Sequence, residues 1–335
     1  MTNLYLPEGW LNVPMIDDLD VPFVFVFGGR GIGKSYGVMD EINTRNRGKS
    51  FFMRRTQTEF DVISDNKLNM FSTYNQDHGT DIHFERQKNI ATILDGSEEI
   101  GFAAALSTFS NIRGFDRFSA EIMYYDEFIP ERHKAKIRNE SEAFLNVYES
   151  INRNRELLGR KPLKVRAFAN SNDIKNPLFM GLNLVTMAEK MKRKEKEIMI
   201  DGNRGIALVD CCYSPISQKK AQTALYRMAG ASEFFNMAIK NEFNSNLFPS
   251  VSRRLVEYKP LVGVGEICVY QHKSSGKFYV SGTIQKSAPY FPASDTMLEM
   301  YRMRFGFLLD RYFDGLIEFE SNITQLLFMT YMKMI

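Results

Sequence analysis

The chain has 335 residues, of which 44% are hydrophobic and 25% charged. That is the composition of an ordinary globular protein, and it excludes a largely disordered chain, a collagen-like fibre and a long coiled coil. A balance of 43 Lys and Arg against 40 Asp and Glu leaves a net charge of +3, so any nucleic-acid surface must be a local patch. Cys211, Cys212 and Cys268 are too few and too badly spaced for a disulfide framework or a zinc site, and read as reduced thiols. The opening MTNLYLPEGW has neither a basic n-region nor an apolar h-region, and the apolar run near the front, VPFVFVF, falls well short of the ~20 residues of a membrane helix. A cytoplasmic protein with no membrane partner is expected.

VPFVFVF (21–27) is a continuous apolar run rich in Val and Phe, the pattern of a strand buried on both faces. A glycine-rich turn follows, and then KSYGVMDEINTR, which suits a helix. SFFMRR (50–55) predicts a strand and TEFDVISDNKLNMF (58–71) a helix. DIHFE, NIATILD and GFAAALSTF, between 81 and 109, predict three short strands with turn signals at Arg86–Lys88 and Asp95–Ser97. EIMYYDEF (121–128) is an apolar strand ending in two acids, SEAFLNVYESINRNRELL (141–158) has helical periodicity, and LKVRAFANSN (163–172) predicts a further strand. Strands alternating with helices predict an α/β domain with a mainly parallel sheet. The character changes after about residue 185. A mixed charge run at 188–197 precedes short helices over 214–243, a β-hairpin over 265–287 around Ser274–Gly276, and helices over 296–334.

The sharpest chemical signal is FGGRGIGKS (27–35), which fits G-x-x-x-x-G-K-[ST] between a predicted strand and a predicted helix. Glycines let the backbone fold around phosphate and turn its N–H groups inward, and the helix N-terminus adds a favourable dipole. Gly28, Gly29, Arg30, Gly31, Ile32 and Gly33 would form this cradle. Lys34 would reach the β- and γ-phosphates of ATP, and the Ser35 hydroxyl would bind Mg²⁺. Asp126, at the end of its apolar strand, suits the second Mg²⁺-holding position. Successive strand side chains point apart, so the neighbouring Glu127 would face the γ-phosphate and deprotonate the attacking water. The pair favours ATP hydrolysis over phosphoryl transfer to a small molecule, and no N-K-x-D segment reads guanine. Asn170, Ser171 and Asn172, at the end of a strand, offer a γ-phosphate sensor, with Asn170 foremost. Arg153 and Arg155, at the end of a predicted helix, offer an arginine finger for a neighbouring subunit, against the plainer reading of a solvated face.

FGGRGIGKSYG, FFMRR, a strand ending in DEF, NRNRE, a strand ending in Asn, and NPLF (176–179) together resemble the genome-packaging ATPases of small tailed phages of the phi-twenty-nine type, over about residues 20–180. The resemblance implies a P-loop ATPase of the additional-strand, catalytic-glutamate class. It implies a homo-oligomeric ring, typically a pentamer, that pushes double-stranded DNA into a preformed capsid. Its partners would be the capsid portal and the packaging RNA that some relatives use, and its place the host cytoplasm and, transiently, the procapsid vertex. It assigns hydrolysis to Lys34, Asp126 and Glu127 and a trans-acting arginine to Arg153, with Arg155 the alternative. It adds a second trans-acting basic residue at Arg113, and phosphate contact or subunit signalling at Arg54–Arg55. It also implies a C-terminal RNase H-like domain that no longer cuts. From Ile267 to Ser294 there is no Asp or Glu, and the later acids Asp295, Glu299, Asp310, Asp314, Glu318 and Glu320 fall in predicted helices. The expected division is a P-loop ATPase domain over 1–204, a helical linker over 205–245 and a small α+β domain over 246–335.

Sequence-independent grip on DNA needs basic groups that meet phosphates. ERHKAKIR (131–138) follows the acidic pair directly and supplies Arg132, Lys134 and Lys136, whereas acids dilute KMKRKEKE (190–197). Two other functions compete with a packaging motor. One is a terminase-like motor with an active nuclease, and the other a non-motor P-loop switch in which ATP only regulates assembly.

Overall fold

The computed structural model describes residues 3–65, 69–112, 120–130, 137–170, 176–211, 214–230 and 251–334. The chain divides into two compact units, Met1–Asn244 and Ser245–Ile335.

The first unit is built on nine strands: β1 (Phe23–Gly28), β2 (Ser50–Arg54), β3 (Ile82–Gln87), β4 (Ile90–Asp95), β5 (Glu98–Ala105), β6 (Ile122–Asp126), β7 (Lys164–Asn170), β8 (Ile198–Asp201) and β9 (Ile206–Cys211). Their order is β3-β4-β5-β2-β6-β7-β1-β9-β8. The six strands from β5 to β9 run parallel, and the antiparallel β3–β4 and β8 extend the two edges. The sheet is therefore mainly parallel, as expected, and its central strands are apolar because helices cover both faces. Among the described residues the unit's α-helices are α1 (Val13–Asp17), α2 (Lys34–Asn43), α3 (Gln57–Ile63), α4 (Ser72–His78), α5 (Glu140–Asn152), α6 (Pro177–Gly181), α7 (Val185–Arg193), α8 (Pro215–Ala221) and α9 (Ala224–Ala229).

Two of the expected elements differ. The helix foreseen over 58–71 stops at Ile63; Thr56 opens it with a capping box closed by Glu59, and Ser64 ends it. A separate α4 follows at Ser72. The linker foreseen from 205 begins with β9, which is buried along its whole length and pairs with β1 in parallel register. The run IALVDC is an apolar strand like β1, so it belongs to the sheet rather than to a connection.

Parallel register aligns the strands' ends: Gly28 lies opposite Asn170 and Cys211, and Asp126 opposite Phe168. The approach to β1 is fixed by Arg166 of β7, which is fully buried and donates to the carbonyls of Asp17, Leu19, Val21 and Pro22 at 3.0–3.2 Å.

Arg55 lies outside the role that the resemblance gives it. It is 1% exposed and holds Glu140, at the start of α5, through a two-pronged pair of 2.7 and 2.8 Å. Tyr125 Oη donates to the same carboxylate at 3.4 Å. A side chain so enclosed is engaged within its own fold. Arg55→Ala strands the buried Glu140 charge, and we expect it to lower unfolding free energy by about 3–5 kcal/mol. Denaturant titration checks this, and a change below 1 kcal/mol would contradict it.

The second unit holds a five-stranded sheet in the order β13-β10-β11-β12-β14, with β10 (Tyr258–Val264), β11 (Ile267–His272), β12 (Phe278–Ser281), β13 (Tyr290–Phe291) and β14 (Ile317–Phe319). Strands β10, β11 and β12 form an antiparallel meander, while β13 joins β10 and β14 joins β12 in parallel. The hairpin around Ser274–Gly276 is β11–β12, as expected. Among the described residues, the unit also holds helices α10 (Asp295–Phe305), α11 (Phe307–Phe313) and α12 (Asn322–Tyr331). Val262, Val269, Val280, Tyr301, Leu308 and Phe328 are among the residues that form the core. The tail is not wholly helical. Ile317 and Phe319 alternate inward across Glu318, so this short stretch adds a strand.

Candidate active site

The cradle 28–35 leaves the C-terminal end of β1 and turns directly into α2. Gly31 and Gly33 have φ of +62° and +94°, which side-chain-bearing residues rarely adopt. Gly33 is the N-cap of α2. A Cβ on Gly31 would also lie 2.6 Å from Lys220 Nζ of α8, which donates to the Arg30 carbonyl.

Lys34 is buried, and its ammonium donates to the Gly29 carbonyl at 2.5 Å and to Asn170 Oδ1 at 3.1 Å. Burial pushes its pKa down to about 8, against the pull of Cys211 and Asp126. Ser35 Oγ donates to Asp126 Oδ2 at 3.0 Å, tying the first turn of α2 to the end of β6. These contacts join the cradle and α2 to the ends of β6 and β7, 91 and 136 residues further along the chain.

Glu127 sits in the site by a route other than strand alternation. β6 ends at Asp126, and Glu127 turns off it with φ +58°. Its carboxylate meets Arg54 at 2.8 Å, and the same guanidinium reaches Asp126 at 3.4 Å. A cavity of about 520 Å³ is lined by Lys34, Ser35, Asp126, Glu127, Asn170 and the cradle residues Arg30, Gly31 and Gly33. Its size is that of a nucleotide-scale ligand site. Trp10 and Tyr36 also line it, and sequence reading did not single them out. Tyr36 follows the GKS run directly; Trp10 and Lys220 carry no local signal.

Arg153 and Arg155 lie elsewhere. They line a second cavity of about 810 Å³ with Arg45, Arg160, Lys161 and Lys164, beside the start of β6 at Ile122. That is the N-terminal edge of the parallel strands, and the rise of β6 alone separates it from Asp126 by about 13 Å. Arg155 donates to the Ala120 carbonyl at 2.5 Å. Arg153 is exposed and follows α5 in a left-handed conformation, φ +43°. Leu157 and Leu158 close by are 84% and 68% exposed. Arg113, Arg132, Lys134, Lys136, Ser171 and Asn172 lie outside the described residues.

In the second unit, Glu318 is paired with Arg253 at 2.6 and 2.8 Å. Glu320 accepts from Ser281 Oγ at 2.9 Å and the Gly282 N–H at 2.7 Å. Both acids belong to the strand region and not to the helices foreseen for them.

Residues 12–287 match the family model of the podovirus DNA encapsidation protein, Gp16. The DNA packaging protein of Bacillus phage PZA is 27% identical over 243 residues, covering 70% of this chain and 66% of the relative. That of Bacillus phage phi29 is 28% identical over 227 residues, covering 65% and 61%. Each alignment spans less than two thirds of the relative's own length. A chain of the bacteriophage Phi-29 viral genome packaging motor assembly shares the fold with a TM-score of 0.64 at 18% identity, over 98% of this chain and 100% of that one. The Phi-28 gp11 DNA packaging motor gives 0.60 at 17% identity, over 98% of each chain.

Proposed function

Because the chain belongs to the podovirus DNA encapsidation protein family, we propose that it is an ATP-driven double-stranded DNA translocase that packages a viral genome into a preformed capsid. The observation that carries the reading is the convergence of Lys34, Ser35, Asp126, Glu127 and Asn170 on one cavity at the C-terminal edge of a parallel sheet. The position of β7, between the strand of the cradle and the strand of the acids, supports the additional-strand, catalytic-glutamate class.

Lys34 and the N–H groups of the cradle hold the phosphates of ATP. Ser35 and Asp126 offer two oxygen donors 3.0 Å apart, a hard set that suits Mg²⁺. When bound, that ion neutralises charge on the β- and γ-phosphates. Glu127 takes the proton of a water whose oxygen attacks the γ-phosphorus, and the bond to the β–γ bridging oxygen breaks. To meet that water, Glu127 turns from Arg54. Arg54 thus acts on the nucleotide through the acidic pair. Arg153 of a neighbouring subunit stabilises the transition-state charge, which ties hydrolysis to a homo-oligomeric ring, a pentamer by likeness to the family. Exposed Arg153 beside exposed Leu157 and Leu158 supports an intersubunit role, and Arg113 is the second trans-acting candidate. Arg132, Lys134 and Lys136 are the proposed DNA grip; the portal and a packaging RNA are the proposed further partners, at the procapsid vertex in the host cytoplasm.

For the second unit we propose an RNase H-like domain without nuclease activity. The β10–β11–β12 meander with β13 parallel to β10 supports the fold, and the engagement of Glu318 and Glu320 by Arg253, Ser281 and Gly282 supports the lack of cutting.

Strand displacement from a DNA triplex tests translocation. ATP should drive displacement with the wild-type chain, and Lys34→Ala should abolish it; displacement without ATP, or undiminished in Lys34→Ala, would overturn the reading.

The depressed Lys34 pKa sets a pH dependence. Phosphates bind the ammonium form, so binding above the free pKa of about 8 requires proton uptake. ATP affinity is expected to be level below that pH and to fall above it, approaching tenfold per pH unit. Titrations between about pH 6.5 and about pH 9.5 check this, with Lys34→Met weak and lacking the inflection. An affinity level across that range would contradict the lowering of the Lys34 ammonium pKa by burial.

A further inference from the structure

We infer that Trp10 is the platform on which the base of the nucleotide stacks. This rests on the reading of 28–35 as the phosphate cradle. Trp10 is the chain's single tryptophan and lines the same cavity as Lys34 and Ser35. Its Cβ and Cε3 lie 3.5 Å from where a Cβ on Gly33 would stand, one residue before the phosphate-facing lysine. The indole is 41% exposed, and among the described residues no ring packs on it and no group accepts from its Nε1. A large apolar face left open beside a polar, phosphate-sized cradle is what a heteroaromatic base covers.

The platform is fixed in place. Leu11 N donates to the Ile32 carbonyl at 2.9 Å, which fastens the N-terminal segment to the cradle. Leu6 N donates to the Trp10 carbonyl at 2.8 Å, and an antiparallel bridge joins Tyr5 to Leu11. Leu4 and Leu11 anchor the segment in the core, and Ser214 Oγ donates to the Gly9 carbonyl at 3.1 Å. The competing aromatic, Tyr36, is already engaged. Its ring packs on Tyr74 at 5.5 Å and His78 at 6.3 Å, and its hydroxyl donates to Asp77 at 2.7 Å. An indole face stacks on any base, so Trp10 contributes affinity for nucleoside over bare phosphate rather than a choice of adenine.

The test compares Mg²⁺–ATP with Mg²⁺–tripolyphosphate, which carries the phosphates without the base, on the full chain. In the wild type, ATP should shift the emission of the single tryptophan and tripolyphosphate should leave it nearly unchanged. Trp10→Ala should weaken ATP binding about 10-fold or more and leave tripolyphosphate binding unchanged. Trp10→Phe, which keeps a stacking face, should restore ATP binding to within a few-fold of wild type. Unchanged ATP affinity in Trp10→Ala would overturn the inference and leave the cradle standing. Equal loss of ATP and tripolyphosphate in both variants would also overturn it, by making Trp10 a structural residue. A wild-type chain that binds neither ligand would overturn the cradle reading itself, and the inference with it.

Discussion

Exchanging Glu127 for glutamine is expected to slow steady-state ATP hydrolysis by about 10²–10⁴-fold, the usual contribution of a general base. Glutamine keeps the size of the side chain and removes its capacity to take a proton. Affinity for Mg²⁺–ATP should change little, because Lys34, Ser35 and Asp126 remain. Folding should also be nearly untouched. The Glu127 side chain is 46% exposed and Arg54 keeps Asp126 as a partner, so the lost ion pair is worth about 1 kcal/mol or less. Phosphate release and ATP titration on the same sample separate the two effects. Turnover within a few-fold of wild type would show that Glu127 does not activate water, and would favour a switch in which ATP binding alone matters.

Removing the Arg153 side chain should cost about 10³-fold or more in turnover, as for arginine fingers generally, and the loss should be repaired by a different defective chain. Arg153 lies at the N-terminal edge of the strands, beside Ile122, while Asp126 and Glu127 lie at the other end of β6. It is too far to complete its own site. Arg155 is half-buried and donates to the Ala120 carbonyl, whereas Arg153 is exposed and donates from Nε to the carbonyl of Ser150 one turn back, so its greater exposure makes it the stronger candidate. In a head-to-tail ring, a chain with Arg153→Ala still supplies Glu127, and a chain with Glu127→Gln still supplies Arg153. With random mixing at one to one, about a quarter of the sites join the two intact groups, so up to about a quarter of the wild-type rate should return. Each variant alone stays inactive. Absence of rescue at every ratio would rule out the assignment in trans.

Much of the site was legible because its signals are local. The strand, the glycine-rich turn and the GKS run occupy one stretch of chain, and a phosphate cradle needs that order. Asp126 and Asn170 were legible as polar residues ending apolar strands, and the parallel register of β6, β7 and β1 brings them together. What sequence did not give depends on contacts between distant segments. Trp10 and Lys220 reach the cradle from opposite sides in sequence, and neither lies in a motif. Arg54 and Arg55 are adjacent and alike in composition. One meets the acidic pair and the other is locked on Glu140, a divergence that follows from the strand's end rather than from residue type. β9 was missed because its apolar run falls after the charge run of α7, where a linker was expected; β14 was missed because three residues are too few to show a period.

The measurement that bears most directly on the packaging-motor reading is specific ATPase activity against protein concentration, with and without double-stranded DNA. A site completed by a neighbour requires the rate per chain to climb with concentration as rings form, and a DNA motor requires it to climb further with DNA. A rate per chain that stays flat with concentration and indifferent to DNA would contradict both.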